Sequence, residues 1–147
     1  MCCSPSLMRK CRIITGARDA GKTRMVMSLS LRQGIVTLSE SADKNVRYLM
    51  DLSDGAVHDF MRRGDRGYII SDGVFEWAAE RLSRIEKGSV AVDECGMIEL
   101  RDRAGFHDSI AALMEKEEVN LYVTVRDSFL PLFLSEFSPD EYEVITT

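Results

Sequence analysis

Apolar and polar positions change their spacing in a regular way along this 147-residue chain. Short runs of apolar and β-branched residues, bounded by turn residues, are typical of buried strands. They predict strands over residues 11–15, 35–37, 48–52, 67–70, 89–93, 120–125 and 143–146. Between most of these runs the apolar residues recur at helical spacing, so we expect helices to connect the strands.

The first two helices have clear start and stop signals. The first is predicted over residues 23–31, with Gly34 as its stop. The second is predicted to be capped by Asp72 and to end at Gly88. Their buried faces are expected to consist of Met25, Val26 and Leu29 in the first helix and Phe75, Ala78, Ala79, Leu82 and Ile85 in the second.

Two further helices are predicted in the second half of the chain. One carries an apolar stripe of Phe106, Ile110, Leu113 and Met114. The other is predicted to be capped by Ser128, with Pro131 in its first turn, where a missing N–H costs little.

Strands that alternate with helices in this way predict an α/β fold, with a mainly parallel sheet covered by helices. By length the chain is expected to be a single domain over residues 1–147, with residues 1–10 as a loose tail. Residues 39–70 break the alternation and predict a small antiparallel insertion of hairpin character. Within it, the charged residues 40–47 are interpreted as a mobile loop.

The segment Gly16–Thr23 fits the phosphate-loop pattern G-x-x-x-x-G-K-[ST] without a mismatch, between a predicted strand and a predicted helix. Such a loop wraps backbone N–H groups around a di- or triphosphate. Lys22 is expected to contact the β- and γ-phosphates, and the Thr23 hydroxyl to bind Mg²⁺. The residues expected to bind the nucleotide are Gly16, Ala17, Arg18, Asp19, Ala20, Gly21, Lys22, Thr23 and Arg24.

Ligands of open α/β sheets bind at the carboxyl ends of the strands. Three such ends carry Gly16, the pair Asp93-Glu94 and Arg126, so we expect these residues to face one crevice. Asp93 follows an apolar strand and is predicted to hold Mg²⁺ together with Thr23.

The remaining charged groups of the crevice are assigned to catalysis. By strand alternation Glu94 is expected to point away from Asp93, beyond the γ-phosphate, where its carboxylate can activate the attacking water; a supporting residue held in a salt bridge is the alternative. Arg126 is predicted to stabilise charge on the γ-phosphate, although a surface pair with Asp127 explains it nearly as well.

Net charge and composition restrict the partners. A formal charge of −5 argues against a protein that binds nucleic acid or anionic membranes non-specifically. No apolar run approaches the about 20 residues that span a bilayer, and residues 1–10 lack the apolar centre of a secretory signal. Cys11 and Cys95 are expected to be small buried hydrophobes. We therefore expect a cytoplasmic monomer.

The residues that carry a family resemblance are Gly16–Thr23, residues 34–37, Gly67-Tyr68 and above all residues 93–100, D-E-C-G-M-I-E-L. Together they resemble the small P-loop nucleoside-triphosphatase family, whose version of the last motif reads D-E-I-G-x-[ML]-E-L. The resemblance runs from about Arg12 to the C-terminus and differs from the last motif only at Cys95.

The resemblance implies a three-layer, RecA-like P-loop NTPase fold and Mg²⁺-dependent hydrolysis of nucleoside triphosphates with several bases. Asp19 replaces the loop's usual glycine, and the segment after Thr37 lacks the family's E-V-R-x-x-G-x-R pattern. Arg47 is the candidate for the last arginine of that pattern. Glu99 lies in the shared motif, where we expect it to brace the loop.

Two alternatives to a hydrolase stay open. A nucleotide or small-molecule kinase would need an acceptor pocket and usually an arginine-rich lid, for which Arg62, Arg63 and Arg66 are available. A GTP-binding accessory module for cofactor assembly would bind tightly and turn over little. Phosphate release without an acceptor separates the hydrolase from both.

Overall fold

The computed structural model describes residues 9–17, 21–40 and 45–147. Within these ranges the elements follow one another in an order that begins and ends with a strand. In chain order they are β1 (Lys10–Gly16), α1 (Lys22–Ser28), β2 (Gly34–Ser39), β3 (Val46–Asp51), β4 (Val57–Gly64), β5 (Gly67–Ile70), α2 (Val74–Ser83), β6 (Gly88–Cys95), α3 (Met97–Leu100), α4 (His107–Glu115), β7 (Val119–Arg126), a 3₁₀ turn (Asp127–Phe129), α5 (Leu130–Phe137) and β8 (Glu141–Thr146).

The strands form one mixed sheet in the order β5-β4-β3-β2-β6-β7-β1-β8. The five strands from β2 to β8 in that order run parallel to their neighbours, whereas β3, β4 and β5 are joined to β2 and to one another by antiparallel pairing. The mainly parallel sheet and the antiparallel insertion are therefore both confirmed.

Neighbouring residues of each parallel strand face opposite sides of the sheet, and both sides are packed. Ile13 lies in the larger core, which α2, α4 and α5 cover, and Ile14 lies in the smaller one beneath α1. Val26 is the buried residue of α1 that covers the smaller core. The fold therefore has three layers, with a larger core on one face of the sheet than on the other.

The insertion contains one strand more than expected. β4 has only Phe60 buried among largely exposed positions, so its sequence lacks the apolar alternation by which strands are recognised. Arg62 and Arg63 lie in this strand rather than in a turn. Arg47, assigned to a mobile loop, instead lies in β3 and is buried; residues 41–44 are outside the described ranges.

Three helices have boundaries that differ from the prediction. α1 ends at Ser28, which leaves Leu29 37% exposed. α2 follows Gly73, not a capping Asp72, and ends at Ser83. Phe129, not Ser128, precedes α5, although Pro131 does lie in its first turn.

Both glycines expected as helix stops start strands instead. Gly34 begins β2 and Gly88 begins β6. At Gly34 a side chain is excluded, because its Cβ would lie 2.0 Å from the carbonyl oxygen of Ala91 and its φ is +120°. Glycine at this position therefore permits the close pairing of β2 with β6.

The predicted buried faces of the first two helices are confirmed in part: Val26, Ala78 and Leu82 are buried, whereas Met25, Phe75, Ala79 and Ile85 are half-buried. Phe106, Ile110, Leu113 and Met114 are all buried on or beside α4.

Cys11 and Cys95 are also buried, and burial raises the pKa of the Cys11 thiol to about 12. Lys10 belongs to β1, so the strand begins inside the segment assigned to a tail. No helix in the described ranges has the length and apolar character needed to cross a bilayer.

Candidate active site

A cleft of about 580 Å³ lies at the carboxyl ends of the parallel strands. Lys22 and Thr23 form one wall, and Asp93, Glu94 and Arg126 project from the strand ends, as predicted. Its further lining residues are Gly21, Arg24, Thr37, Leu38, Ser39, Arg47, Cys95, Gly96, Thr124 and Phe129. The crevice inferred from strand topology is therefore present.

The lining is basic although the chain as a whole is acidic. Its basic side chains are Lys22, Arg24, Arg47 and Arg126, and its acidic ones are Asp93 and Glu94. Among the lining residues that the structure describes, four positive against two negative groups leave an excess of two positive charges, in a chain of net charge −5. Such a local field favours a polyanionic ligand.

The described part of the phosphate loop has a backbone conformation that requires a glycine before α1. Gly21 precedes α1 with a φ of 93°, a conformation that side-chain-bearing residues rarely adopt. Lys22 Nζ donates hydrogen bonds to the carbonyl oxygens of Ala17 at 2.7 Å and Gly16 at 3.3 Å. These bonds hold the ammonium at the mouth of the loop. Three predicted ligands, Arg18, Asp19 and Ala20, lie outside the described residues.

Lys22 sits in an environment that disfavours its positive charge. Burial lowers its pKa below the usual value, and the nearby charge of Arg126 lowers it further, while Glu94 and Asp93 act in the opposite direction. An anion bound here would oppose this lowering of the pKa, because its negative charge favours the charged form of the ammonium.

Asp93 joins the loop to the centre of the sheet. It is fully buried, and its Oδ2 accepts hydrogen bonds from the Thr23 hydroxyl at 2.8 Å and from the Thr37 N–H at 3.1 Å. Its Oδ1 accepts one from the Thr124 hydroxyl at 2.7 Å. Burial raises the pKa of Asp93, and these hydrogen bonds partly oppose that rise.

A β-bulge brings both acids into the cleft. The register of β6 against β7 shifts between Val92 and Cys95, so that Asp93 and Glu94 oppose Thr124 alone. Glu94 has a φ of 79°, and its N–H donates to the Thr124 hydroxyl oxygen. The direction of the Glu94 side chain therefore follows from the bulge and not, as predicted from the sequence, from strand alternation. A non-glycine residue at such a φ is strained, at a cost of about 1–3 kcal/mol that the contacts around the bulge must offset.

Glu94 is engaged by an arginine from the insertion. Arg47 Nη1 lies 2.9 Å from Glu94 Oε1, and the guanidinium of Arg47 stacks over the Tyr68 ring with 5.2 Å between Cζ and the ring centroid. Sequence reasoning assigned Arg47 to a mobile loop and to the last arginine of the family pattern, and it did not predict the pair with Glu94. It had no signal for Thr124, and it placed Tyr68 among the residues of the family resemblance without a contact to Arg47.

Arg126 lies beside the start of the phosphate loop, since its register partner in β1 is Gly16. Its guanidinium stacks over the Phe129 ring, 5.1 Å from the centroid. No ion pair between Arg126 and Asp127 is found within the described part of the chain, so the alternative surface pair is not formed.

Glu99 braces the turn that follows the two acids. Its Oε1 accepts the N–H of Gly96 at 2.8 Å, and its Oε2 accepts the N–H of Phe106 at 3.0 Å. Burial raises the pKa of Glu99 despite these bonds. The expected structural role is confirmed.

The donor set fits Mg²⁺. Mg²⁺ usually takes one or two carboxylate or hydroxyl ligands, keeps several waters and completes its shell with phosphate oxygens. Thr23 and Asp93 are such donors, and the buried Thr37 hydroxyl, which has no hydrogen-bond partner among the described residues, could accept a metal-bound water. No cluster of three or more histidine, cysteine, aspartate or glutamate ligands occurs within the described ranges, so an all-protein cage for another metal is not found there.

The candidate kinase lid is not part of this site. Arg62, Arg63 and Arg66 belong to the hairpin of β4 and β5 and do not line the cleft. Trp77 packs against the larger core and is not part of the cleft.

The fold and the cleft define the class: a three-layer α/β P-loop NTPase fold. No protein-family model and no curated protein sequence matches this chain. Two solved structures share its fold. THEP1 from the hyperthermophile Aquifex aeolicus superimposes with a TM-score of 0.67 at 20% identity, over 92% of this chain and 88% of that one. A human cancer-related nucleoside triphosphatase superimposes with a TM-score of 0.70 at 14% identity, over 94% and 88%. The resemblance deduced from the sequence is thus confirmed in its fold.

Proposed function

We propose that this chain is an Mg²⁺-dependent nucleoside triphosphatase that releases phosphate from ATP, GTP and other nucleoside triphosphates. The observation that carries the proposal is the 2.8 Å hydrogen bond from Thr23 to Asp93, with Glu94 next in the chain. It joins a phosphate loop to a strand-end acid pair across one basic cleft. The name of one protein of the same fold, the human cancer-related nucleoside triphosphatase, agrees with it.

In this proposal the chain's residues divide the work between binding and proton transfer. Lys22 binds the β- and γ-phosphates, and Thr23 with Asp93 holds Mg²⁺. When bound, Mg²⁺ neutralises charge that develops on the phosphate oxygens.

Glu94 would accept the proton of the attacking water as its oxygen bonds to the γ-phosphorus and the bond to the β–γ bridging oxygen breaks. Arg126 would stabilise charge on the transferred phosphoryl group. The products are a nucleoside diphosphate and phosphate.

Phosphate release tests the proposal directly. We expect purified protein to release phosphate from ATP, GTP, CTP and UTP with Mg²⁺ and without an acceptor, and to release none when a chelator replaces the metal. Strict dependence on an added acceptor would favour a kinase. Tight nucleotide binding without phosphate release would favour the accessory module.

The variant Glu94→Gln examines the proton acceptor. We expect turnover to fall about 10²- to 10⁴-fold, the usual contribution of a general base, with nucleotide binding retained. Glu117→Gln is the matched control, because Glu117 is an exposed turn residue outside the cleft. Full turnover in Glu94→Gln would remove Glu94 from the mechanism.

A further inference from the structure

Arg47 is a buried cation whose side chain reaches the cleft from the antiparallel insertion. It lies in β3, two strands away from β6, which carries the acid pair. Burying a guanidinium is costly unless anionic and hydrogen-bonding partners compensate for the lost water. Among the described residues of the cleft, Arg47 forms an ion pair with Glu94.

The two side chains of the Arg47–Glu94 ion pair are unequally exposed. The Arg47 side chain is 10% exposed, whereas that of Glu94, which it contacts at 2.9 Å, is 46% exposed. The Tyr68 ring covers the guanidinium on one face. The carboxylate is thus the partner that a ligand in the cleft can displace.

A continuous chain of contacts leads from the phosphate loop to Arg47. Thr23 donates to Asp93, Glu94 follows Asp93 in the bulge, and Arg47 pairs with Glu94. All four residues line the same cleft. A triphosphate held by Lys22 and Thr23 would therefore present its terminal phosphate to the Glu94–Arg47 pair.

We propose that Arg47 recognises the terminal phosphate of a nucleoside triphosphate and exchanges its ion pair with Glu94 for an ion pair with that phosphate. The proposal rests on the proposed function and assigns its specificity for triphosphates. A guanidinium binds phosphate through two parallel hydrogen bonds, and a terminal phosphate carries more negative charge than one carboxylate.

The exchange links recognition to catalysis. While Arg47 holds Glu94, one carboxylate oxygen is occupied by the guanidinium. Release of that oxygen would let Glu94 accept a proton from water at the time when the γ-phosphate is in place. A diphosphate lacks the terminal group, so it leaves the pair closed.

A second arginine with the same kind of partners provides a matched control. Arg81 lies 3.0 Å from Asp51 and 2.8 Å from Asp54, and it stacks over Trp77 at 4.7 Å. It does not line the cleft. Loss of Arg81 thus tests what removal of a stacked, ion-paired arginine does to this fold in general.

The experiment compares two nucleotides in the presence of Mg²⁺: the β,γ-imido analogue of ATP, which is not hydrolysed, and ADP. Affinities are measured by calorimetry for the wild type, Arg47→Gln, Arg47→Ala and Arg81→Ala. We expect both Arg47 variants to bind the triphosphate analogue about 10- to 100-fold more weakly, the usual loss for a charged hydrogen bond, and ADP less than about 3-fold more weakly. Arg81→Ala should leave the ratio of the two affinities unchanged. If Arg47→Ala does not fold, Arg47→Gln carries the test, since glutamine keeps most of the side-chain length.

A double-mutant cycle tests the exchange itself. Glu94→Gln weakens the partner that competes with the phosphate, so it should tighten binding of the triphosphate analogue by about 3-fold, the scale of a half-exposed ion pair. In the Arg47→Gln background that gain should disappear. A gain of the same size in both backgrounds would reflect simple charge repulsion by Glu94 and would overturn the exchange.

The outcomes separate this inference from the proposed function. An unchanged ratio of triphosphate to diphosphate affinity in Arg47→Gln overturns the inference, even if the wild type hydrolyses nucleotides. An Arg47-dependent ratio in a protein that releases no phosphate supports the inference and contradicts the proposed hydrolase. Failure of the wild type to bind either nucleotide contradicts both.

Discussion

Asp93 and Glu99 are buried carboxylates at the two ends of one short segment, and burial raises the pKa of each. Their donors differ. Among the described residues, Glu99 accepts hydrogen bonds from backbone N–H groups, those of Gly96 and Phe106. Asp93 accepts from one backbone N–H and from the hydroxyls of two threonines on different elements.

The difference in donors determines what each carboxylate can do. A hydroxyl can rotate, donate, accept or bind a metal, whereas a backbone N–H can only donate in a fixed direction. The hydroxyl groups around Asp93 can therefore rearrange around a metal and phosphate. The N–H groups around Glu99 are fixed, so that carboxylate stabilises the turn after the two acids. Burial and a raised pKa do not by themselves identify a site; the kind of donor does.

The largest effect is expected at the structural end of the segment. Glu99→Ala would leave the buried N–H of Phe106 and the partly buried N–H of Gly96 without acceptors, at about 1–3 kcal/mol each, so we expect the free energy of unfolding to fall by about 3 kcal/mol. Denaturant titration measures it. Nucleotide affinity of the folded protein should change by less than about 3-fold, because the phosphate contacts are made elsewhere.

Gly105→Ala tests the same brace without removing the carboxylate. The new Cβ would lie 2.0 Å from Glu99 Oε2, at a φ of +58°. We expect a loss of about 2 kcal/mol, typical of strain beside a buried hydrogen bond. Normal stability in both variants, or lost nucleotide binding with normal stability, would show that Glu99 belongs to the site instead.

A smaller stability effect is expected at the chemical end. Asp93→Asn keeps the shape and most hydrogen bonds, so the free energy of unfolding at pH 7 should change by less than about 1 kcal/mol. Mg²⁺-dependent nucleotide affinity should fall by about 10-fold or more. A loss of several kcal/mol with unchanged metal dependence would make Asp93 a brace like Glu99.

The same variant has a defined pH dependence. The pKa of Asp93 is raised in the folded state, so its contribution to stability is fully present below the unfolded-state pKa and is lost as pH rises through the folded-state pKa. The Asn variant has no such loss. The free energy of unfolding of Asp93→Asn minus that of the wild type should therefore increase with pH, which urea titrations at a series of pH values can measure.

The smallest effect concerns protons rather than stability. Burial lowers the pKa of Lys22, and a bound polyphosphate would raise it again. Triphosphate binding should therefore take up a fraction of a proton in alkaline solution, and affinity should fall as pH rises through the pKa of the ligand-free lysine. Calorimetry in two buffers of different ionisation enthalpy measures the uptake. Proton release on binding would contradict the assignment of Lys22 to the phosphates.

Much of the cleft was predictable because its residues occupy positions that local pattern defines. Lys22 and Thr23 follow a glycine at a fixed spacing, and Asp93 follows four apolar strand residues. Parallel strands then bring their carboxyl ends together whatever the side chains in between. Helix ends and β4 were less predictable, because glycines that resemble helix stops serve close strand pairing and because exposed strands lack apolar alternation.

The sequence alone determined the class of fold, the phosphate loop and the acid pair at the end of β6. Only the tertiary structure decided which partners those groups have. Thr124 holds both acids at a bulge, and Arg47 crosses from the insertion to Glu94. Local pattern reports on burial and periodicity within a few turns of chain, whereas these contacts join distant segments and depend on the order of strands in the sheet and on one shift of register.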